Sequence, residues 1–268
     1  MKKSSDQMIA DAAAPTFRPN TIDYAIWRSV ATLNEYMICD RFGSEDAVVD
    51  VGMHIGSFCY LALQRGAGIV WGFEADYENY TLARDNLRGF GQRAHLVNAA
   101  VCRSDEPPEK LYFDGYTDFH PRRPDVKNTG AGTVLSNRGR EVPAMAFDRI
   151  LDDVTKNGRD RVRLLKIDCE GSEFPILLTS RRLNLIDEIV GEYHHFDQNC
   201  IPEQAHIPGY SVLECRSLVK CLRTWDFVVR TNGSAETGGH FTAWNRQWLA
   251  RAASRGKESE NRTLPIGD

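Results

Sequence analysis

The sequence has no apolar run approaching the roughly 18 residues that a membrane-spanning helix needs, which speaks against a bilayer segment. It has no excess of basic residues. With 33 Lys and Arg against 37 Asp and Glu, the net charge is −4, so nothing advertises a phosphate-backbone partner. It has no Cys-x-x-Cys pair: seven cysteines are scattered over 268 residues and suggest neither a zinc site nor a disulfide framework. The stretch Met1–Ala14 carries two lysines but no apolar core of the signal-peptide kind. A reduced cytoplasmic protein with no membrane or nucleic-acid partner is the simplest expectation. The phosphate loop Gly-x-x-x-x-Gly-Lys-Ser/Thr is also missing.

What is present is ordinary in bulk. Hydrophobic residues make up 42% and charged residues 26%, enough for a globular chain with a real core. Residues 1–20 read as a flexible arm closed by Pro15 and Pro19, residues 21–250 as one domain, and residues 251–268 as a polar tail. Ile22, Ile26, Val30, Leu33 and Met37 recur at helical spacing and predict an amphipathic helix from Thr21 to about Ile38, covering the sheet or the substrate. Strand and helix signals then alternate: Ala47–Val51, Ser57–Gln64, Gly68–Phe73, Tyr77–Leu87 and Ala94–Val101. A stretch rich in proline and glycine, residues 104–140, interrupts them and reads as an insertion, part loop and part β-hairpin, that shapes a substrate pocket. The alternation resumes with Val162–Ile167, Glu173–Ser180, Ile186–Tyr193 and Val212–Leu222, and closes on an antiparallel pair at Phe227–Arg230 and His240–Trp244. Such alternation implies an α/β fold of parallel strands joined by right-handed crossovers.

The strongest chemical signal follows the first strand. In Asp50-Val51-Gly52-Met53-His54-Ile55-Gly56 two glycines permit a tight turn and close approach to a ligand, and the helix after them presents unpaired N–H groups. Glu74 closes the next strand, eighteen residues beyond Gly56, where an acid accepts hydrogen bonds from the two hydroxyls of a ribose. Asn98, Ala99 and Ala100 follow the third strand and offer an amide and small residues to an adenine edge. A dinucleotide site favours a middle glycine where this loop has His54, and Asp50 suits a cationic ligand. A positively charged nucleoside without phosphate fits best, and S-adenosylmethionine is that molecule. The plainer reading is a generic βα turn, with Asp50 holding backbone amides and Glu74 merely solvated.

From Val48 to about Asn245 the chain resembles the FkbM-type S-adenosylmethionine-dependent methyltransferases. The matching stretches are Val49–Gly56, Phe73-Glu74-Ala75-Asp76, Leu164-Leu165-Lys166-Ile167-Asp168-Cys169-Glu170-Gly171, and Ile189-Val190-Gly191-Glu192-Tyr193-His194. The resemblance implies a Rossmann-like, seven-stranded sheet, mostly parallel with an antiparallel last strand and helices on both faces, and transfer of a methyl group to a hydroxyl of a natural product or sugar. Ala75 joins the cofactor set through the second stretch. Met53, where a small residue is usual, and the insertion depart from the pattern.

Ligands of open α/β sheets sit beyond the carboxyl ends of the strands. Lys166, Asp168 and Glu170 end the fourth strand, and Glu192, His194 and His195 end the fifth. His194 is the first candidate for a general base, because free imidazole titrates near neutrality; Asp168 is the second, as base or as orienter of the acceptor hydroxyl. Lys166 is expected to pair with Asp168 or Glu170. Asp168 and Glu192 together offer hard oxygen ligands suited to magnesium. Against this stands a purely structural charge network around the Glu173 helix. His54 and His195 read as packing residues, Cys169 lacks a partnered base, and Tyr112, Phe113, Tyr116 and Phe119 either line a pocket or form the insertion's own core. Two other readings remain open at this stage, an NAD-dependent oxidoreductase and a non-catalytic adenosine-binding module. The expected partner is a small-molecule or glycan acceptor, and self-association stays open.

Overall fold

The structure, a computed structural model, describes residues 14–115, 119–120, 123–195, 203–210, 212–234 and 238–254. It opens with a short helix α1 (Asp23–Trp27) that continues as one wide turn over Arg28–Thr32. The helix stops there and does not reach Ile38. Asn34 and Met37 take left-handed backbone angles (φ +53° and +50°), and the Asn34 amide bridges both backbone groups of Ile38, a local arrangement that competes with helix. Val30, Tyr36 and Ile38 are buried, while Leu33 and Met37 are 58% and 73% exposed, so the apolar spacing marks a packed segment rather than one helix face.

The central strand β1 (Ala47–Val51) is β-branched and buried on both sides, as befits the middle of a parallel sheet. Helix α2 (Ser57–Gln64), strand β2 (Ile69–Glu74), helix α3 (Tyr77–Leu87) and strand β3 (Ala94–Asn98) follow. The expected third strand breaks at Ala99. Its last residues form β4 (Ala100–Cys102), which leaves the main sheet and pairs with β8 (Arg140–Ala146). Within the insertion β5 (Lys110–Phe113) pairs antiparallel with β8, and β6 (Phe119–His120) pairs with β7 (Arg123–Lys127). Helix α4 (Phe147–Val154) leads to β9 (Val162–Ile167), helix α5 (Glu173–Thr179) to β10 (Glu188–Tyr193), and helix α6 (Cys215–Thr224) to the hairpin of β11 (Phe227–Ser234) and β12 (Gly238–Asn245). A last helix, α7 (Arg246–Ser254), is held by the Arg163 guanidinium over the Trp248 ring and by Arg251 on Asp187.

The seven-stranded sheet runs β11-β12-β10-β9-β1-β2-β3, all parallel except β12. Period-two alternation splits its side chains between two cores. Val48, Leu164 and Val190 meet α2 and α3 through Phe58, Leu63 and Leu87, whereas Val49, Leu165 and Ile189 meet α4, α5 and α6 through Phe147, Leu177 and Leu218. Chain order reverses between β1 and β9, and a crevice opens above the carboxyl ends of those strands, where such sheets bind ligands. Among the described residues no helix is long and apolar enough to cross a membrane, and the six described cysteines form no disulfide.

Candidate active site

The crevice is a cavity of about 400 Å³, walled by the β1–α2 loop, the ends of β2, β9 and β10, the segment around Ile22–Tyr36, and the insertion around Asn128–Val134. Of the residues expected to bind a nucleoside, Gly52, His54, Glu74, Ala75, Ala99 and Ala100 line it. Gly52 has φ +77°, and a Cβ there would stand 1.9 Å from the Asp168 carbonyl oxygen, so the loop lies flat against the next strand end only because that residue is glycine. Met53 fits by sinking. It is 2% exposed, and its sulfur fills the space over Gly72, where a Cβ would come within 2.5 Å of it.

Glu74 is 7% exposed, and each of its oxygens accepts one backbone N–H, from His54 and from Asp76, both at 2.8 Å. Burial pushes its carboxyl up to about 7, although those two hydrogen bonds pull the other way. Each oxygen keeps lone-pair capacity on the cavity side. Asn98 does not reach the cavity; its amide donates to the carbonyls of Glu74 and Ala75 and ties β3 to the end of β2. Gly56 also stands off the wall, its open side packed on Leu87 and Ala83 of α3.

Asp50 is placed differently from expectation. It is fully buried beneath the loop, with Lys166 Nζ 3.3 Å from one oxygen and the Cys59 thiol 3.1 Å from the other, so its cation is a lysine of β9 and not a bound ligand. Lys166 in turn donates to the Gly52 carbonyl at 2.6 Å rather than pairing with Glu170. Burial alone would lower its pKa, but the charges of Asp50 and Asp168 outweigh that and raise it.

Asp168, Glu170 and Glu192 also line the wall, and His194 Nε2 lies 3.7 Å from both Glu170 and Glu192. Asp168 accepts the Tyr36 hydroxyl at 2.9 Å, and its carboxyl is raised by burial despite Lys166. Burial also raises Glu170, to about 7. Glu192 has His240 Nε2 at 2.9 Å and His194 Nε2 at 3.7 Å, and the His240 bond holds its pKa down. His194 is not near neutrality. Burial lowers it, but Glu173 Oε1 at 3.1 Å from Nδ1, with Asp168 and Glu170, drives it up to about 10, so it stands as an imidazolium. Glu173 is itself wholly buried and accepts the N–H groups of Cys169 and Gly171, which folds the turn between β9 and α5.

Tyr36 and His240 escape the sequence reading, because each reaches the site from a segment distant in the chain, and Glu173, expected only in a structural network, also holds His194. Thr129 and Asp23 do likewise for His54, whose Nε2 lies 3.1 Å from the Thr129 hydroxyl and 3.5 Å from Asp23. Phe113 lines the cavity, whereas Tyr112 lines a neighbouring one; Tyr116 and the side chain of Phe119 lie outside the described residues. His195 meets Tyr193 edge-on at 5.3 Å and is not part of the wall.

The family described as methyltransferase FkbM domain matches residues 50–219, from Asp50 in the cofactor loop to the middle of α6. The chain belongs to this family. It is an S-adenosylmethionine-dependent methyltransferase, which decides among the three readings of the sequence. Among solved structures the FkbM-family chain is similar to a precorrin-6y C5,15-methyltransferase from Geobacter metallireducens, at 14% identity over 88% of this chain and 95% of that one, with a TM-score of 0.43. It is also similar to M. capricolum TrmK in complex with S-adenosyl-homocysteine, at 11% identity over 80% and 66%, TM-score 0.38. A third is the N-terminal domain of EvdMO1 with S-adenosyl-homocysteine bound, at 15% identity over 75% and 74%, TM-score 0.41. No curated protein matches. At these scores the assignment rests on the family match.

The wall suits this cofactor. Glu74 offers two fixed oxygens to a vicinal diol. Among the described residues Lys166 is the one lysine or arginine of the wall, and its ammonium is already turned onto Gly52 and Asp50. A pyrophosphate would find no cation here, whereas a nucleoside without phosphate needs none.

Proposed function

We propose that the protein methylates a hydroxyl oxygen of a small molecule, natural product or sugar, in the reducing cytoplasm. One observation carries the reading: a single cavity is lined both by Glu74, with its two oxygens held by backbone N–H groups, and by Asp168 and Glu192, the latter with His194 beside it. S-adenosylmethionine supplies a methyl on a sulfonium sulfur, which keeps the bonding electron pair as the new O–CH₃ bond forms. The chain's part is to hold the two reactants in line and to take the acceptor's proton. Asp168 is the proton acceptor best placed for this, fixed by Tyr36 at the cavity wall. Lys166 positions the cofactor loop through Gly52 and keeps Asp50 ionised. Phe113, Val134 and Ile26 give the cavity apolar walls, and Gly130 and Gly132 pack directly against Ile26 and Phe113.

A metabolite extract incubated with enzyme and cofactor carrying a deuterated methyl should yield a product labelled on oxygen; a label found only on nitrogen or carbon would overturn the assignment. Asp168→Asn should lower kcat by about 10²-fold or more while leaving S-adenosylhomocysteine affinity within about twofold. Undiminished turnover in that variant would remove Asp168 from proton transfer.

A further inference from the structure

We propose that Asp168, Glu192 and His194 bind one divalent cation of the magnesium–manganese type at the cavity wall. Strands β9 and β10 are parallel neighbours, and their register pairs Lys166 with Val190 and Ile167 with Gly191, so one step further brings Asp168 beside Glu192. One ligand atom from each of the three residues lies within 4.8 Å of the others. Two carboxylate oxygens and an imidazole nitrogen are ligands a hard divalent ion accepts, manganese tolerates the nitrogen well, and the ion takes the place of the Nε2 proton of His194, which is released to solvent on binding.

A second observation separates this group from a chance cluster of acids. Each of the three residues meets a group from outside the cluster: Asp168 Oδ2 accepts the Tyr36 hydroxyl at 2.9 Å, Glu192 Oε1 has the His240 imidazole at 2.9 Å as an ion-pair contact, and His194 Nδ1 lies 3.1 Å from Glu173. The last is the carboxylate–histidine pairing that orients metal-binding imidazoles, and it leaves Nε2 directed at the acids, 3.7 Å from Glu192 Oε2. Charge points the same way. Glu35, Asp168, Glu170 and Glu192 all line the cavity, against the imidazoles of His194 and His240 and with Lys166 committed to Asp50.

The site deepens the methyltransferase reading, and its purpose rests on that reading although its geometry does not. Three protein ligands leave open positions on a six-coordinate ion for water and for the acceptor oxygen, whose proton a bound cation makes easier to remove. With the ion in place Asp168 serves as a ligand and not as the proton acceptor, and the acceptor's proton leaves to solvent.

The test is a titration of the purified protein with Mn²⁺ alone, followed by loss of the free ion's paramagnetic resonance signal, beside calorimetry with S-adenosylhomocysteine. Wild type should take up one Mn²⁺ per chain. Asp168→Asn and Glu192→Gln should each weaken uptake tenfold or more, with S-adenosylhomocysteine affinity within twofold. Glu173→Gln, which removes the carboxylate charge facing His194 Nδ1 and one of the two acceptors that fold the β9–α5 turn, should weaken uptake by about 10- to 100-fold. Should Asp168→Asn fail to fold, Glu192→Gln, whose side chain is 31% exposed, carries the same test. No uptake by wild type at millimolar Mn²⁺, or uptake unchanged in Glu192→Gln, overturns the site. S-adenosylhomocysteine binding without manganese uptake sinks the ion site alone; uptake without S-adenosylhomocysteine binding sinks the methyltransferase reading and supports the ion site.

Discussion

A carboxylate that is 7% exposed and titrates at about 7 makes cofactor binding depend on pH. Glu74 must be ionised for both oxygens to accept ribose hydroxyls, and those bonds lower its pKa in the complex. Affinity is therefore full above about pH 8 and falls as the pH drops through 7, by up to tenfold per unit, with proton release on binding near pH 6. Calorimetry at pH 6 in buffers of different ionisation enthalpy measures that proton directly. Glu74→Gln should abolish the slope, and an affinity flat from pH 5.5 to 8.5 in wild type would contradict the assignment. The place of Glu74 on the cavity wall was legible in the sequence because it follows from position alone, the end of the second strand. Asp50 was legible as an acid suited to a cation but not in its partner, since the cation is Lys166, from a strand far along the chain, and only the β1–β9 register reveals it. The same holds for Glu173. Its backbone bonds to Cys169 and Gly171 are local, but its grip on His194 exists only once β9 and β10 are neighbours. A free-solution pKa for His194 could not anticipate that partner.

The parallel strands and their helices follow from periodicity because each is a repeated, fully buried unit. Segments that lean on several elements at once are another matter. Helix α4 lies outside the elements expected from sequence, although Phe147, Ile150, Leu151 and Val154 follow the i, i+3, i+4, i+7 pattern; at eight residues with three acids it is too short and polar to stand out. The segment Ile22–Tyr36 shows the converse case, with helical spacing but only one short helix, because contacts to the loop and insertion override propensity. Its anchor is Asp23. This fully buried carboxylate accepts Arg18 Nε and Nη2 at 2.8 Å and the Thr129 hydroxyl at 2.6 Å, and faces His54 at 3.5 Å. Burial alone would raise its carboxyl, but the His54, Arg18 and Thr129 bonds hold it far below the usual range. Asp23→Ala strips one element of its tie to two others and should cost about 2–4 kcal/mol. The expected sign is a lower denaturant midpoint at unchanged slope. An unmoved midpoint would mean that the segment is held elsewhere.

At the scale of the whole molecule, the cavity wall is collected from the amino-terminal segment, the β1–α2 loop, the insertion and four strand ends, and it sits where the two hydrophobic cores meet across the sheet. A ligand seated there touches parts of the chain that otherwise meet only through the sheet. Its binding energy should therefore raise the cooperative unfolding temperature instead of tightening one loop. At a hundred times its dissociation constant a ligand adds about 2.7 kcal/mol, which for a chain of this size is a shift of roughly 5–10 °C. S-adenosylhomocysteine should produce that shift as one sharper transition, with slowed amide exchange in both β1 and the Ile22–Tyr36 segment. NAD at the same concentration should produce none, since its pyrophosphate finds no free cation in the described wall. Local protection of the loop at Gly52 without a rise in Tm would show that the segment and the insertion close over the ligand only weakly, and that the cavity is less one site than two facing surfaces.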